Sequence, residues 1–219
     1  MIKEKLLDIY HRLLDHYGPQ HWWPAEGPFE MMVGAVLTQS TTWTSVEKAI
    51  DNLKTGGVLS PEAIRQLPLS ELAALIFSSG YYNTKALKLK SLVAYLGEYQ
   101  DDLDRLFTVD TRQLHRELLG VHGIGEETAD SILLYAAERP VFVIDAYTRR
   151  ILGRTGLAPD KGRYADYQRL FMDNLPAENS LYNEYHALLV CLGKNVCRKR
   201  PLCQQCCLCR DECHFDRPN

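Results

Sequence analysis

The sequence predicts an all-α protein, and three observations carry that expectation. Apolar residues recur with a period near 3.6 along most of the chain. No two alternating runs are joined by a two-residue turn as in a β-hairpin, and glycine–proline breaks cut the N-terminal half into helix-sized pieces. The composition, 46% hydrophobic and 24% charged residues, is that of an ordinary folded chain. Its 219 residues suffice for one generous core or two small ones.

Taken in order, Ile2, Leu6, Ile9, Tyr10, Leu13, Leu14 and Tyr17 trace the stripe of an amphipathic opening helix. Acidic residues within it argue against a secretion signal. The pairs Gly18-Pro19, Gly27-Pro28, Gly56-Gly57 and Ser60-Pro61 mark breaks. Met32, Val33, Val36 and Leu37 form a second stripe, and Ala86, Leu89, Leu92, Val93 and Leu96 a third. No internal repeat or low-complexity segment interrupts them. The longest apolar stretches, such as Ala187–Leu192, are far shorter than a membrane span, so an intracellular, membrane-free address is expected.

A formal net charge of −3, taken alone, argues against a nucleic-acid partner. Its distribution points the other way. Lys85, Lys88 and Lys90 form one basic cluster; Arg149, Arg150 and Arg154 a second; Lys194, Arg198, Lys199 and Arg200 a third. Any of them could be a solvated face, and for the second and third the family resemblance of the motifs beside them implies phosphate contact.

Three features carry chemistry. Gly120, Gly123 and Gly125 fall within six positions, between Leu118–Leu119 and the run Ala129, Ile132, Leu133, Ala136. Such a turn needs glycine freedom, and the helix opening at Glu126-Glu127 has bare amides that can accept a phosphate oxygen. Next, the apolar run Pro140-Val141-Phe142-Val143-Ile144 ends on a carboxylate, Asp145. Finally, six of the seven cysteines lie between Cys197 and Cys213. In an intracellular chain that crowding predicts a metal site rather than disulfides. The register C-x5-C-x2-C-x6-C uses Cys197, Cys203, Cys206 and Cys213. Cys207 can replace Cys206, and Cys203, Cys206, Cys209 and Cys213 make a ferredoxin-like alternative.

On these residues the chain resembles the endonuclease III superfamily of helix-hairpin-helix DNA glycosylases. Leu119-Gly120-Val121-His122-Gly123-Ile124-Gly125 is similar to its DNA-gripping hairpin, and Pro140 to Asp145 to the approach to its catalytic aspartate. The resemblance implies a two-lobed helix-hairpin-helix glycosylase fold. Residues 27–137 would form a helical barrel domain ending in the hairpin. Residues 1–26 and 138–219 would form a second helical lobe with a cysteine-ligated cluster loop at 197–213. It implies a cleft between the lobes for duplex DNA carrying a damaged base, bound by a monomer. Cys197, Cys203, Cys206 and Cys213 would hold a [4Fe–4S] cluster, with zinc as the competing metal. The family's usual spacers run x6, x2, x5, so one residue has moved between them.

Members that also cut the strand carry a lysine two residues after the last hairpin glycine, where this chain has Glu127. A carboxylate forms no imine, so water is the expected nucleophile and the enzyme is expected to be monofunctional. The segment Trp22-Trp23-Pro24, the run Gly34-Ala35-Val36-Leu37-Thr38-Gln39, Tyr185-His186-Ala187-Leu188 and Gly193-Lys194-Asn195 resemble the 3-methyladenine DNA glycosylase III branch. That likeness implies a base pocket from Trp22, Trp23 and Trp43 with Glu127. Gln39 would fill the gap left by the flipped base or contact the strand. Asn83 and Lys85, in a loop resembling a DNA-facing one, would contact DNA, as would Gly123, Gly125 and Arg149. Two other functions are open at this point. A thymine or adenine mismatch glycosylase would need a proton donor such as Glu30, Glu47 or Glu127. A catalytically silent DNA-binding module with a cluster would not need Asp145.

Overall fold

A computed structural model describes residues 2–158, 162–209 and 213. It is all-helical, with no strand among the described residues. The chain divides into two compact units, Met1–Trp22 with Pro140–Asn219, and Trp23–Arg139.

The continuous unit, Trp23–Arg139, is organised on helix α2, Pro28–Leu37. Proline at its start suits a first turn that needs no amide partners. Every residue from Glu30 to Leu37 is buried, so this helix is apolar on all sides and forms the centre of its unit. Around it pack α3 (Trp43–Thr55), α6 (Tyr82–Glu98), α9 (Glu126–Ser131) and the π-helical turn Ile132–Ala136 that continues α9. The short helices between them start at polar caps. Ser60 accepts from the Ala63 amide ahead of α4 (Pro61–Gln66), and α5 (Leu69–Leu75) follows. Asp102 accepts from the Arg105 amide ahead of α7 (Leu103–Phe107), and Asp110 from the Arg112 and Gln113 amides ahead of α8 (Thr111–Gly120). Each such cap satisfies amides that have no helical carbonyl, contributing about 1 kcal/mol.

In the other unit, α1 (Ile2–Tyr17) buries Leu6, Ile9 and Leu13 against α12 (Asn179–Asn195). The Tyr185 hydroxyl donates to the Leu6 carbonyl at 2.8 Å. An aromatic core forms where the Phe142 and Phe171 rings stack 3.7 Å apart with the Tyr182 and Tyr185 rings edge-on to Phe142. Phe171 lies on α11 (Tyr164–Met172). The most extensive helix pair of this unit joins α10 (Ala146–Arg154) to α12. Gly193 allows the approach, since a Cβ there would stand 2.6 Å from the Tyr147 side chain. Among the described residues no helix is long and apolar enough to cross a membrane.

Candidate functional site

Asp145 is built from the run before it. Phe142, Val143 and Ile144 are fully or almost fully buried but not helical, so their backbone groups need side-chain partners. Gln168 Nε2 donates to the Phe142 carbonyl at 2.8 Å, and the Ile144 amide donates to the Tyr164 hydroxyl at 3.1 Å. Held in this way, the run delivers Asp145 to the N-cap of α10, where its Oδ1 accepts from the Thr148 amide at 2.7 Å. That bond fixes the carboxylate rotamer and places the charge at the positive end of a helix dipole. His186, buried on α12, senses the same charge: burial pushes its imidazole below the usual range, and Asp145 partly offsets this.

The hairpin joins α8 to α9. Val121 and Ile124 tuck inward, and the Ile124 amide donates to the Val121 carbonyl at 3.1 Å. Gly123 has φ +86°, in the region L side chains avoid. Gly125 is the N-cap of α9 with open space around it, and Glu127 is exposed on the first turn. Behind the turn, His115 Nε2 of α8 lies 3.1 Å from Asp130 Oδ1 of α9, the carboxylate being buried.

This pair makes hairpin stability pH-dependent. The Asp130 hydrogen bond raises the His115 pKa against the opposing effect of burial. A folded pKa above the unfolded value means that the contribution is full below the unfolded pKa, about 6.5, and is lost as pH rises through the folded pKa. The difference in melting temperature between the wild type and His115→Ala should therefore be greatest near pH 5.5 and shrink above neutrality. A difference that stays constant from pH 5.5 to 9 would refute the assignment.

The tryptophans of the continuous unit form a compact group. The Trp23 ring stands edge-to-face with Trp43 at 5.3 Å and tilted against Tyr135 at 5.4 Å. Gly34 lets it approach α2, because a Cβ there would come within 3.2 Å of the Trp23 ring. Trp43 also lines an open pocket with Pro24, Glu30, Glu47 and Asp51. Glu30 is engaged there by Lys54 at 3.0 Å, which pairs with Glu26 at 2.9 Å as well. Trp22, half-buried, is the last residue of the N-terminal segment of the other unit.

Lys85 does not stand where a phosphate contact would. Its side chain is buried, with Nζ donating to the carbonyls of Leu37 at 2.8 Å and Ser79 at 2.6 Å. Burial, helped by Lys88, pushes its pKa down to about 8. The ammonium caps the C-terminal end of α2, a favourable place for a cation. Asn83 is exposed on the first turn of α6. Beside it stands Tyr81, which sequence reasoning missed: the residue is 73% exposed and its backbone is left-handed, φ +48°. Strain of that kind in a non-glycine residue marks functional loops. Tyr135 was missed too, because a lone aromatic in a helical run looks like core.

Arg149 is half-buried, its guanidinium 5.7 Å from the Tyr164 ring centre and 5.3 Å from that of Tyr167. Arg150 and Arg154, expected at phosphates, hold the cysteine loop instead. Arg150 donates to the carbonyls of Cys197 at 2.7 Å and Gly193 at 2.9 Å. Arg154 donates to the Arg198 carbonyl at 2.6 Å and to Cys197 Sγ at 3.2 Å. Among the described residues no disulfide joins any of the cysteines. Cys197, Cys203, Cys206, Cys209 and Cys213 line one small cavity with Arg154. Cys207 is not among its lining residues, and its carbonyl accepts from Arg12. Two thiolates on one zinc ion, each about 2.3 Å from it, stand no more than about 4.6 Å apart. Among the described residues no three Cys, His, Asp or Glu side chains converge on such a single-ion site.

Comparison with known proteins decides the family. Residues 33–177 match the HhH-GPD superfamily of base excision DNA repair proteins. This chain belongs to that superfamily. As a superfamily member it is a base-excision DNA N-glycosylase. A putative DNA repair glycosylase of Methanocaldococcus jannaschii is 44% identical over 93% of both chains. The endonuclease III of Sulfolobus acidocaldarius is 30% identical over 85% of this chain and 82% of its own. Among solved structures, the H. pylori 3-methyladenine DNA glycosylase bound to 1,N6-ethenoadenine superposes with a TM-score of 0.73 at 28% identity, covering 88% of this chain and 95% of the other. A non-covalent endonuclease III–DNA complex shares the fold with a TM-score of 0.82 at 22% identity, covering 97% and 95%.

Proposed function

We propose that this HhH-GPD protein removes alkylated purines, such as 3-methyladenine, from duplex DNA by hydrolysis and leaves the strand uncut. The observation that carries the reading is the Trp23, Trp43 and Tyr135 cluster. Aromatic faces attract a positively charged alkylpurine by stacking and cation–π interaction more than a neutral base. The same charge weakens the glycosidic bond, so the base departs without a strong general acid. The related H. pylori enzyme holding 1,N6-ethenoadenine, a purine adduct, supports the choice of substrate class.

In this reading the damaged nucleotide is flipped from the stack at about a few kcal/mol, less for a poorly paired base. The hairpin amides grip a phosphate, with Asn83, Tyr81 and Arg149 contributing to the grip on the strands. Asp145 stabilises the oxocarbenium-like sugar as the bond electrons pass to the departing base, and takes a proton from the water that attacks the sugar carbon. Glu127 occupies the place of the amine nucleophile found in strand-cutting members, so no Schiff base forms. A mismatch glycosylase would need a proton donor for a neutral base, and of the candidates Glu30 is already engaged by Lys54.

Cys197, Cys203, Cys206 and Cys213, all of which line the thiol cavity, are the proposed holders of a [4Fe–4S] cluster, with zinc as the competing metal. When bound, it would supply structural rigidity to the loop that carries Arg198, Lys199 and Arg200. Incubation with randomly methylated DNA should release 3-methyladenine identified by mass. Release of thymine or adenine from mismatched duplexes, with no alkylpurine, would overturn the reading.

A further inference from the structure

Several contacts at the hairpin have no part in the mechanism above. Gly123 not only has a positive φ; a Cβ there would run into the Lys88 methylenes, which lie across the turn. Lys88, half-buried on α6, donates its ammonium proton to Gln39 Oε1. With that oxygen engaged, the amide nitrogen of Gln39 donates to the Gly123 carbonyl at 3.1 Å and to Thr128 Oγ1 at 2.9 Å. A primary amide can point either way, but an ammonium only donates, so Lys88 forces the oxygen toward itself and the NH2 toward the hairpin. One side chain thereby ties α6 to the turn and to α9, through a charge-assisted bond of the stronger class.

We propose that Lys88 is a positioning residue: it locks the Gln39 amide onto Gly123 and Thr128 and so presets the hairpin for a DNA phosphate. The proposal rests on the DNA-binding reading above. The Lys88 ammonium donates to Gln39, so its proposed action runs through the turn.

The test compares the wild type with Lys88→Met, which keeps methylenes over Gly123 and removes the ammonium. The hairpin amides of Ile124 and Ala129 should exchange with deuterium about tenfold faster, the size expected when a hydrogen bond to a charged group is lost. Affinity for duplex DNA should fall about tenfold with an unchanged slope against log salt. The double variant with Gln39→Ala should lose no more than either single one, because both break the same clasp. Gln39→Glu, which keeps a partner for Lys88 but loses both amide donations, should speed the same exchange and guards against misfolding of the first variant. A salt slope reduced by about one would make Lys88 a direct phosphate contact and overturn the proposal. Unchanged exchange, or additive losses, would do so as well. Should the wild type not bind DNA, the functional reading fails while amide exchange still decides the clasp.

Discussion

Asp145→Asn is expected to lower base release by about 10²–10⁴-fold, the range for losing a general base or a preorganised electrostatic stabiliser. The fold should be retained, because asparagine caps helices as well as aspartate and its oxygen can still accept from the Thr148 amide at the start of α10. Melting temperature and DNA affinity should therefore stay close to the wild type, which separates lost chemistry from lost structure. Asp145→Ala would mix the two, removing the cap at about 1 kcal/mol along with the charge. Base release by Asp145→Asn at the wild-type rate, measured by mass of the free base, would remove Asp145 from the mechanism.

Gly123→Ala is expected to act on the hairpin. At φ +86° an L side chain is strained by about 1–3 kcal/mol, and here the added carbon also meets the Lys88 chain. The turn must shift, breaking the Gly123 carbonyl's bond to Gln39. Duplex affinity should fall by tenfold or more, with a melting temperature lower by several degrees. Shortening the lysine in Gly123→Ala/Lys88→Ala removes the collision but not the backbone strain, so recovery should be partial. Wild-type affinity in Gly123→Ala would show that the turn's geometry does not matter for binding.

The helical class was legible because periodicity reports one-sided burial, and α6 buries Ala86, Leu89, Leu92, Val93 and Leu96 as its stripe predicts. The pattern of α2 was only half visible. Its stripe of Met32, Val33, Val36 and Leu37 understates a helix buried from Glu30 onward on all sides. Charge was the poorest guide. Lys85, Arg150 and Arg154 read as surface cations, yet each is spent on backbone carbonyls, and such contacts join residues up to 48 positions apart. Local sequence carries no signal for pairings of that range. Thr128 went unremarked, and Lys88 read only as one of a basic cluster, for the same reason: their importance lies in what Gln39 reaches. The fold puts Cys197, Cys203, Cys206, Cys209 and Cys213 around one cavity and leaves Cys207 off its lining, a grouping that the spacers alone do not give.

The central claim, hydrolytic removal of an alkylated purine, is tested most directly on a duplex carrying a single alkylated adenine, with base release and strand integrity measured in one reaction and covalent trapping by borohydride in a parallel one. The account predicts free alkyladenine by mass, an intact strand with an abasic site that breaks only on alkali treatment, and no covalent protein–DNA adduct. A borohydride-trapped adduct with strand scission, or no base release at all, would contradict it.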